Sequence, residues 1–343
     1  MKLRQGGKLV LGALLGLGLL VLFLRGVQWS ALVAALAGAR KRDMFLVIVA
    51  TMVMYFFRAW RWGYLLAPIA KVELRHLMSA TVVGFMSGLL VPRAGEILRP
   101  YLIGRRHAVK TSAAFASIIV ERLFDLITVI LLFGVYLYLL PMPPQQVRGE
   151  FLRELRFWGT LVGLGAVAVT VVLALFHAHA ERAMAIIDRC LAVLPRRLAQ
   201  PVSGAARAFS QGLAVLQAPA SHLAVIAGQS VATWLTIALG IYLNNLAFGL
   251  DLPFHTAFLI IGFLTVGVAV PTPGMVGGFH LAYQLALTQC FGVSKEVAAA
   301  AGITSHALTN LPVLVAGLAY LPSEGLTLGR VAEIAAEDED KRP

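Results

Sequence analysis

The stretch SAAFASIIVERLFDLITVILLFGVYLYLL, residues 112–140, is almost unbroken apolar sequence with three charges, Glu121, Arg122 and Asp125, in its first half. As an α-helix rising about 1.5 Å per residue it is longer than the roughly 30 Å hydrocarbon core of a bilayer. Five more apolar runs of spanning length lie at 9–24, 44–67, 157–176, 222–247 and 296–322. Composition agrees. Of 343 residues 59% are apolar and 13% charged, against about 25% charged in a typical soluble domain, and the mean hydropathy is +0.81. The expected fold class is all-α, a polytopic membrane helix bundle, and a soluble enzyme is excluded.

Two apolar stretches do not fit a simple span. Residues 76–91 are too short, contain Gly84, Ser87 and Gly88, and stop at Pro92. Residues 255–291 are about twice a normal span and are interrupted by Pro271-Thr-Pro273-Gly274 and Gly277-Gly278. Both read as re-entrant or broken helices, which are tolerated at membrane depth where they are buried in protein or line a wet cavity. With the N-terminus cytoplasmic and 76–91 re-entrant, 18 Lys and Arg fall inside, 8 outside and 3 (Arg58, Arg61, Arg122) within spans, in keeping with the positive-inside rule. A rival with 76–91 crossing, 255–291 a hairpin and the N-terminus outside gives 17 and 9; the shortness of 76–91 and the basic N-terminal tail favour the first. One broken element then enters from each side, the pattern of an inverted repeat.

The formal net charge of +12 would suggest nucleic acid in a soluble protein. Here the basic residues cluster at the ends of apolar runs, where they meet anionic headgroups, so no nucleic-acid partner is expected. Lys2, Arg4 and Lys8 before the first apolar run also describe a signal peptide, but no small-residue cleavage site follows, so a retained first helix is expected. Cys190 and Cys290 fall near opposite faces, which does not indicate a disulfide framework. Residues 26–42, with Trp29, read as an interfacial helix outside. Residues 178–221, with Arg182, Arg189, Arg196, Arg197 and Arg207, read as a cytoplasmic amphipathic link. The chain divides into a membrane domain, 1–322, and a charged cytoplasmic tail, 323–343, disordered from about residue 333.

Charges at mid-membrane cost about 2.5–3.5 kcal/mol each on insertion scales, so each needs a reason. Glu121 and Asp125 are four apart and share a helix face. They read equally as a structural ion cluster with Arg58 or Arg61, or as the wall of a polar cavity. Arg93 and Arg99, beside Gly95 and Glu96 just after the first break, read as phosphate contacts, whereas Arg105, Arg106 and Lys110 read as interfacial anchors. Arg58 and Arg61, interleaved with Trp60 and Trp62, read first as an aromatic belt with snorkelling arginines, and second as partners of the acidic cluster. His280 and Gln284 follow the second break, and His306 and Asn310 share a face of the last span. Packed, hydrogen-bonded histidines are the plainer reading and proton coupling the sharper one. No third ligand at usable spacing supports a metal site, and no cofactor is expected.

These residues resemble a known family, the lysylphosphatidylglycerol synthase transmembrane region, also called the flippase-like domain family. The resemblance rests on Arg58-Ala-Trp-Arg61-Trp62, Pro92-Arg-Ala-Gly95-Glu96-Ile-Leu-Arg99, Glu121-Arg122-Leu-Phe-Asp125 and Pro271-Thr-Pro273-Gly274-Met-Val-Gly277, in the family's order. It implies a multi-pass protein, here of a bacterial inner membrane, that moves or helps to move polar lipids between leaflets. The chain lacks the soluble aminoacyl-transfer domain of the synthases, and departs from the family pattern at Met275, in place of a glycine, and at His280, in place of a glutamate. The expectation is a lipid flippase or flippase-like transporter and not an enzyme. Its partner would be a membrane lipid with a phosphate or other polar headgroup, and a homodimer is left open. The alternatives are a membrane-embedded lipid-modifying enzyme using Glu121 and Asp125, or an accessory subunit of a lipid or cell-envelope pathway. No GxxxxGK[ST] motif is present, so any driving force would come from a gradient, the membrane potential or lipid imbalance.

Overall fold

The computed structural model describes residues 2–91, 94–107, 109–140, 149–191, 200, 203–204, 218–331 and 333–334. Among them no strand occurs and the elements are helices: α1 (Lys2–Leu24), α2 (Trp29–Gly38), α3 (Lys41–Leu66), α4 (Leu74–Leu90), α5 (Ala94–His107), α6 (Thr111–Leu139), α7 (Gly149–Ala178), α8 (Ala180–Leu191), α9 (Ala220–Ala247), α10 (Thr256–Ala269), α11 (Gly278–Leu285) and α12 (Lys295–Tyr320). By length and composition α3, α9 and α12 can each cross a bilayer, and α1 with α2 forms a pair bent by 89°. That bend turns α2 across the end of α1, as an interfacial helix requires. At 29 residues α6 is long enough as well.

Both breaks are helical hairpins closed by glycines. A Cβ on Gly95 would overlap the Gly84 carbonyl oxygen, so α4 and α5 touch backbone to backbone. A Cβ on Gly278 would overlap the Gly267 carbonyl oxygen, which joins α10 to α11 in the same way. Without a hydrophobic driving force between helices in lipid, such small-residue contacts let van der Waals packing hold them together. The first re-entrant element is therefore larger than 76–91, because α5, read from sequence as a cytoplasmic segment, is its returning arm. The hairpin tips also meet. A Cβ on Gly274, in the turn Pro273–Met275, would be 3.7 Å from the Leu89 carbonyl oxygen.

The glycine pairs have the same spacing of eleven residues, and the order long helix, hairpin, long helix occurs twice, as α3 to α6 and as α9 to α12. The leading helices run antiparallel. His222 at the start of α9 meets the Tyr64 carbonyl near the end of α3, at 3.0 Å, whereas the Arg40 amide before α3 donates to the carbonyl of Ala247, at 2.9 Å. Each hairpin packs on the closing helix of the other half, α4 on α12 and α10 on α6. The repeat is thus inverted.

Each hairpin organises an apolar core. Trp62, Leu66, Met86, Leu98 and Ile103 surround the first, and Val129, Tyr136, Ile260, Tyr283 and Leu287 the second. Leu326, Val331 and Ile334 belong to the first core, so the packed body continues past residue 322, where the sequence reading ended the membrane domain. Residues 335–343 of the expected tail, and Arg196, Arg197 and Arg207 of the expected link, lie outside the described residues, while α8 supplies that link's amphipathic start.

Candidate functional site

The charges of α6 are where the two halves converge. Glu121 and Asp125 project from one face of α6 toward α3, which supplies Arg58 and Arg61 three residues apart on its own inner face. Arg99 comes from α5. Its guanidinium forks onto Glu121, with Nη1 donating to Oε1 at 3.2 Å and Nη2 to Oε2 at 2.9 Å. Arg61 Nη1 donates to Asp125 Oδ1 at 2.8 Å and to Ser230 Oγ on α9 at 2.8 Å, while its Nη2 lies 3.4 Å from Glu121. Arg58 lies 3.4 Å from Asp125 and 3.8 Å from Glu121. Arg122 reaches Glu121 at 2.9 Å and Asp125 at 3.4 Å. The Trp234 indole of α9 donates to Asp125 at 3.0 Å. Four guanidinium groups therefore face two carboxylates in one cluster.

Aromatic rings complete its walls. The Arg99 guanidinium carbon stands 4.4 Å from the centroid of the Trp62 ring and 5.5 Å from that of Phe85, and that of Arg58 stands 5.2 Å from Phe85. The Trp62 indole is anchored by donating to Ser117 Oγ at 2.9 Å. Arg58, Arg61, Arg99, Glu121 and Asp125 are all buried, but 40% of the Arg122 side chain is exposed, so the cluster opens at this residue. Glu96, exposed on α5, acts electrostatically on Arg122 and still leaves one positive charge in excess. The Nε groups of Arg61, Arg99 and Arg122 and the buried Gln229 carboxamide make no hydrogen bond among the described residues. Such a site is electropositive and has donors to spare, which suits a phosphate or similar anion.

Several expectations change. Arg58 and Arg61 are not a snorkelling belt. Trp60 faces outward, but Trp62 and both arginines point into the bundle, because two carboxylates across the helix interface outweigh escape to the surface. Arg99 gives both terminal nitrogens to Glu121 and keeps only its Nε unpaired among the described residues. Arg105 and Arg106 do more than anchor the chain at the interface. Arg105 donates to the Glu324 carbonyl at 2.7 Å, and Arg106 donates to the buried Glu324 carboxylate at 3.1 Å and to the Ser323 carbonyl at 3.0 Å, tying the base of the first hairpin to the end of α12. Arg93 lies outside the described residues.

A second polar group gathers at the other tip, around Pro271, Pro273, Gly274 and Gly277. The His280 and His306 rings are 4.5 Å apart, His306 Nε2 is 2.7 Å from the Gly274 carbonyl oxygen, and Asn310 donates to the His306 carbonyl at 2.9 Å. Gln284 stands apart, reaching the Lys295 carbonyl at 3.5 Å. The sequence reading did not pair the two histidines, and it missed Ser230, Trp234 and Phe85. The signal for the α9 pair was a polar series, Gln229, Ser230, Thr233 and Trp234, inside an otherwise apolar span.

The second half carries a neutral counterpart of the charged cluster. Asn244 on α9 donates to Tyr283 Oη and to the Ala301 carbonyl, each at 3.0 Å, and Tyr283 donates to Asn245 at 2.9 Å. A polar knot thus joins leading helix, hairpin and closing helix in both halves, and charge distinguishes the first.

Similarity to known proteins follows the same boundaries. Over 97% of its length the chain is 24% identical to glycosyltransferase AglD of Haloferax volcanii, of which it spans 57%. Two UPF0104 membrane proteins of Methanothermobacter thermautotrophicus are 24% and 21% identical over 83% and 88% of the chain, covering 87% and 90% of their own lengths. The chain thus spans little more than half of the first of these relatives and most of the other two. The family description of the lysylphosphatidylglycerol synthase TM region matches residues 9–317, which takes in both hairpins and the whole charged cluster, and this membrane-embedded chain belongs to that family.

Proposed function

We propose that the protein is a flippase-like transporter of the cell membrane, with a cytoplasmic N-terminus, that passes a polar or anionic headgroup between leaflets and catalyses no covalent chemistry. The observation that carries this reading is the charged cluster itself, at the meeting of an inverted repeat, positive in excess and open at Arg122. Charges inside a membrane bundle mark pathways for polar cargo, and inverted repeats place such sites where broken helices meet. The enzyme alternative is weakened by the same geometry, because both carboxylates are held in ion pairs and neither stands free as a general base. The test is reconstitution in liposomes with fluorescent phosphatidylglycerol in both leaflets and a quencher added outside. Protein-dependent loss of the protected fraction, slowed by Arg122→Gln, supports the reading. A rate equal to that of protein-free liposomes sinks it.

The similarity to a protein named a glycosyltransferase favours a second reading, in which the headgroup carries a sugar. The same assay with a fluorescent glycolipid separates the two.

A further inference from the structure

One turn along α6 from Arg122 the structure holds a cavity that no residue of the charged cluster lines. It has a volume of about 510 Å³ and lies between α6, α7, α10 and α11, with Leu19 of α1 at its edge. Its lining is almost wholly apolar. Along α6 the wall is Leu126, Val129, Ile130 and Phe133, which continues the helical stripe that begins one turn earlier at Arg122. One end is closed, because the Phe133 ring is clamped between helices: a Cβ on Gly159 would lie 2.8 Å from it and one on Gly262 2.5 Å. The flank is open toward lipid, where Leu126, Trp158, Val162 and Val266 are exposed.

A slot walled by hydrocarbon, closed at Phe133 and with Arg122 one helical turn beyond its Leu126 end, matches one kind of ligand. From Leu126 to Phe133 the slot runs about 10 Å along α6, and Arg122 lies about 6 Å beyond it, at ~1.5 Å per residue. We propose that it seats the hydrocarbon chain of an anionic lipid whose headgroup contacts Arg122, so that the protein selects its cargo by head and chain together. The proposal rests on reading the cluster as a headgroup site. Since hydrocarbon gains nothing by leaving lipid for protein, selectivity comes from charge at Arg122 and from the shape of the slot up to Phe133.

The test uses the full chain in lipid nanodiscs with two probes, phosphatidylglycerol and phosphatidylcholine, each carrying a photoactivatable diazirine near the end of one acyl chain. Cross-linked residues are mapped by mass spectrometry, in wild type first, so the result does not depend on a variant folding. Labels from phosphatidylglycerol are expected to concentrate on Phe133, Gly159 and Phe263. Phosphatidylcholine should label there about fivefold less, the size of one basic residue's contribution to anionic-lipid binding, and Arg122→Gln should erase the difference. Ile130→Trp, which fills the slot without touching the cluster, should move the labels to the outer surface. Labels scattered equally over lipid-facing residues such as Val315, or equal labelling by both lipids in wild type, would overturn the proposal. Slot labelling without flipping in liposomes leaves this inference standing and removes the transport reading. Flipping without slot labelling does the reverse.

Discussion

Glu121 accepts from Arg99 and Arg122 and faces Arg58 and Arg61, so removing its carboxylate strands guanidinium charge in an apolar interior. Breaking a buried pair from one side costs about 3–5 kcal/mol, whereas replacing both partners by apolar groups can be neutral. Glu121→Ala should therefore lower both folded yield and transport, while Glu121→Leu combined with Arg99→Leu should recover yield but not transport. Fluorescence-detected size exclusion beside the liposome assay reads the two apart, and full transport by the double variant would make the cluster purely structural. Met275 offers the opposite case. It sits at φ +58°, next to Gly274 at +61°, in the left-handed region that costs a non-glycine residue roughly 1–2 kcal/mol. Met275→Gly should raise the detergent-solubilised melting temperature, and a fall would show that the methionine side chain contributes more than the backbone strain removes. That Glu121 and Asp125 need cations was legible, since two carboxylates one turn apart on a spanning helix cannot stand alone. Which cations was not. The Arg-Ala-Trp-Arg-Trp sequence of α3 fits an interfacial belt better than an ion cluster, and the Trp234 and Ser230 contacts depend on tertiary packing.

At the scale of the hairpins, the glycine contacts set what can be changed. Gly95→Ala and Gly278→Ala each push a methyl into a facing backbone carbonyl, which no side-chain rotation relieves, whereas a methyl on Gly134 would meet nothing within 4 Å. Both hairpin substitutions should lower thermal stability by several degrees relative to Gly134→Ala, and equal melting of all three would refute backbone contact at the tips. The breaks themselves were legible from a run too short and a run too long, each with glycine and proline at the interruption. The returning arm α5 was not, because Glu96, Arg99, Arg105 and Arg106 give it the composition of a surface segment. Its inner face, Leu98, Arg99, Leu102 and Ile103, becomes visible when the four-residue period is laid over the charged positions.

For the molecule as a whole, the contacts between distant segments fix which ends share a side. The Gln28 amide reaches Glu296, and Lys295 donates to the Arg25 carbonyl, so the turn after α1 lies beside the start of α12. Arg106 and Glu324 pair at the far end of α12, about 39 Å away at ~1.5 Å per residue. Cysteines at positions 28 and 323 should therefore react with an impermeant maleimide from opposite sides, with 323 cytoplasmic. Labelling of both from one side would break the spanning assignment of α12. The apolar runs made the class of the helices legible, and charge asymmetry suggested their orientation. The pseudo-twofold relation needed the structure, because its markers, two glycine pairs, say nothing until their backbones are seen to touch.

The placement of charge on α6 also bears on how the chain is made. Helices α3 and α6 both carry charge inside an apolar span, Arg58 and Arg61 on the first and Glu121, Arg122 and Asp125 on the second. The carboxylates of α6 find Arg58, Arg61 and Arg99 among residues already synthesised, whereas Ser230 and Trp234 emerge from the ribosome about a hundred residues later. The ion pairs of α6 with α3 and the first hairpin can thus form before α9 is made, and α9 closes the cluster afterwards. A ribosome stalled before α9 would hold an inserted half with one side of its buried charge uncovered, which makes the α7 to α9 interval the stage at which membrane quality control can recognise an unfinished chain.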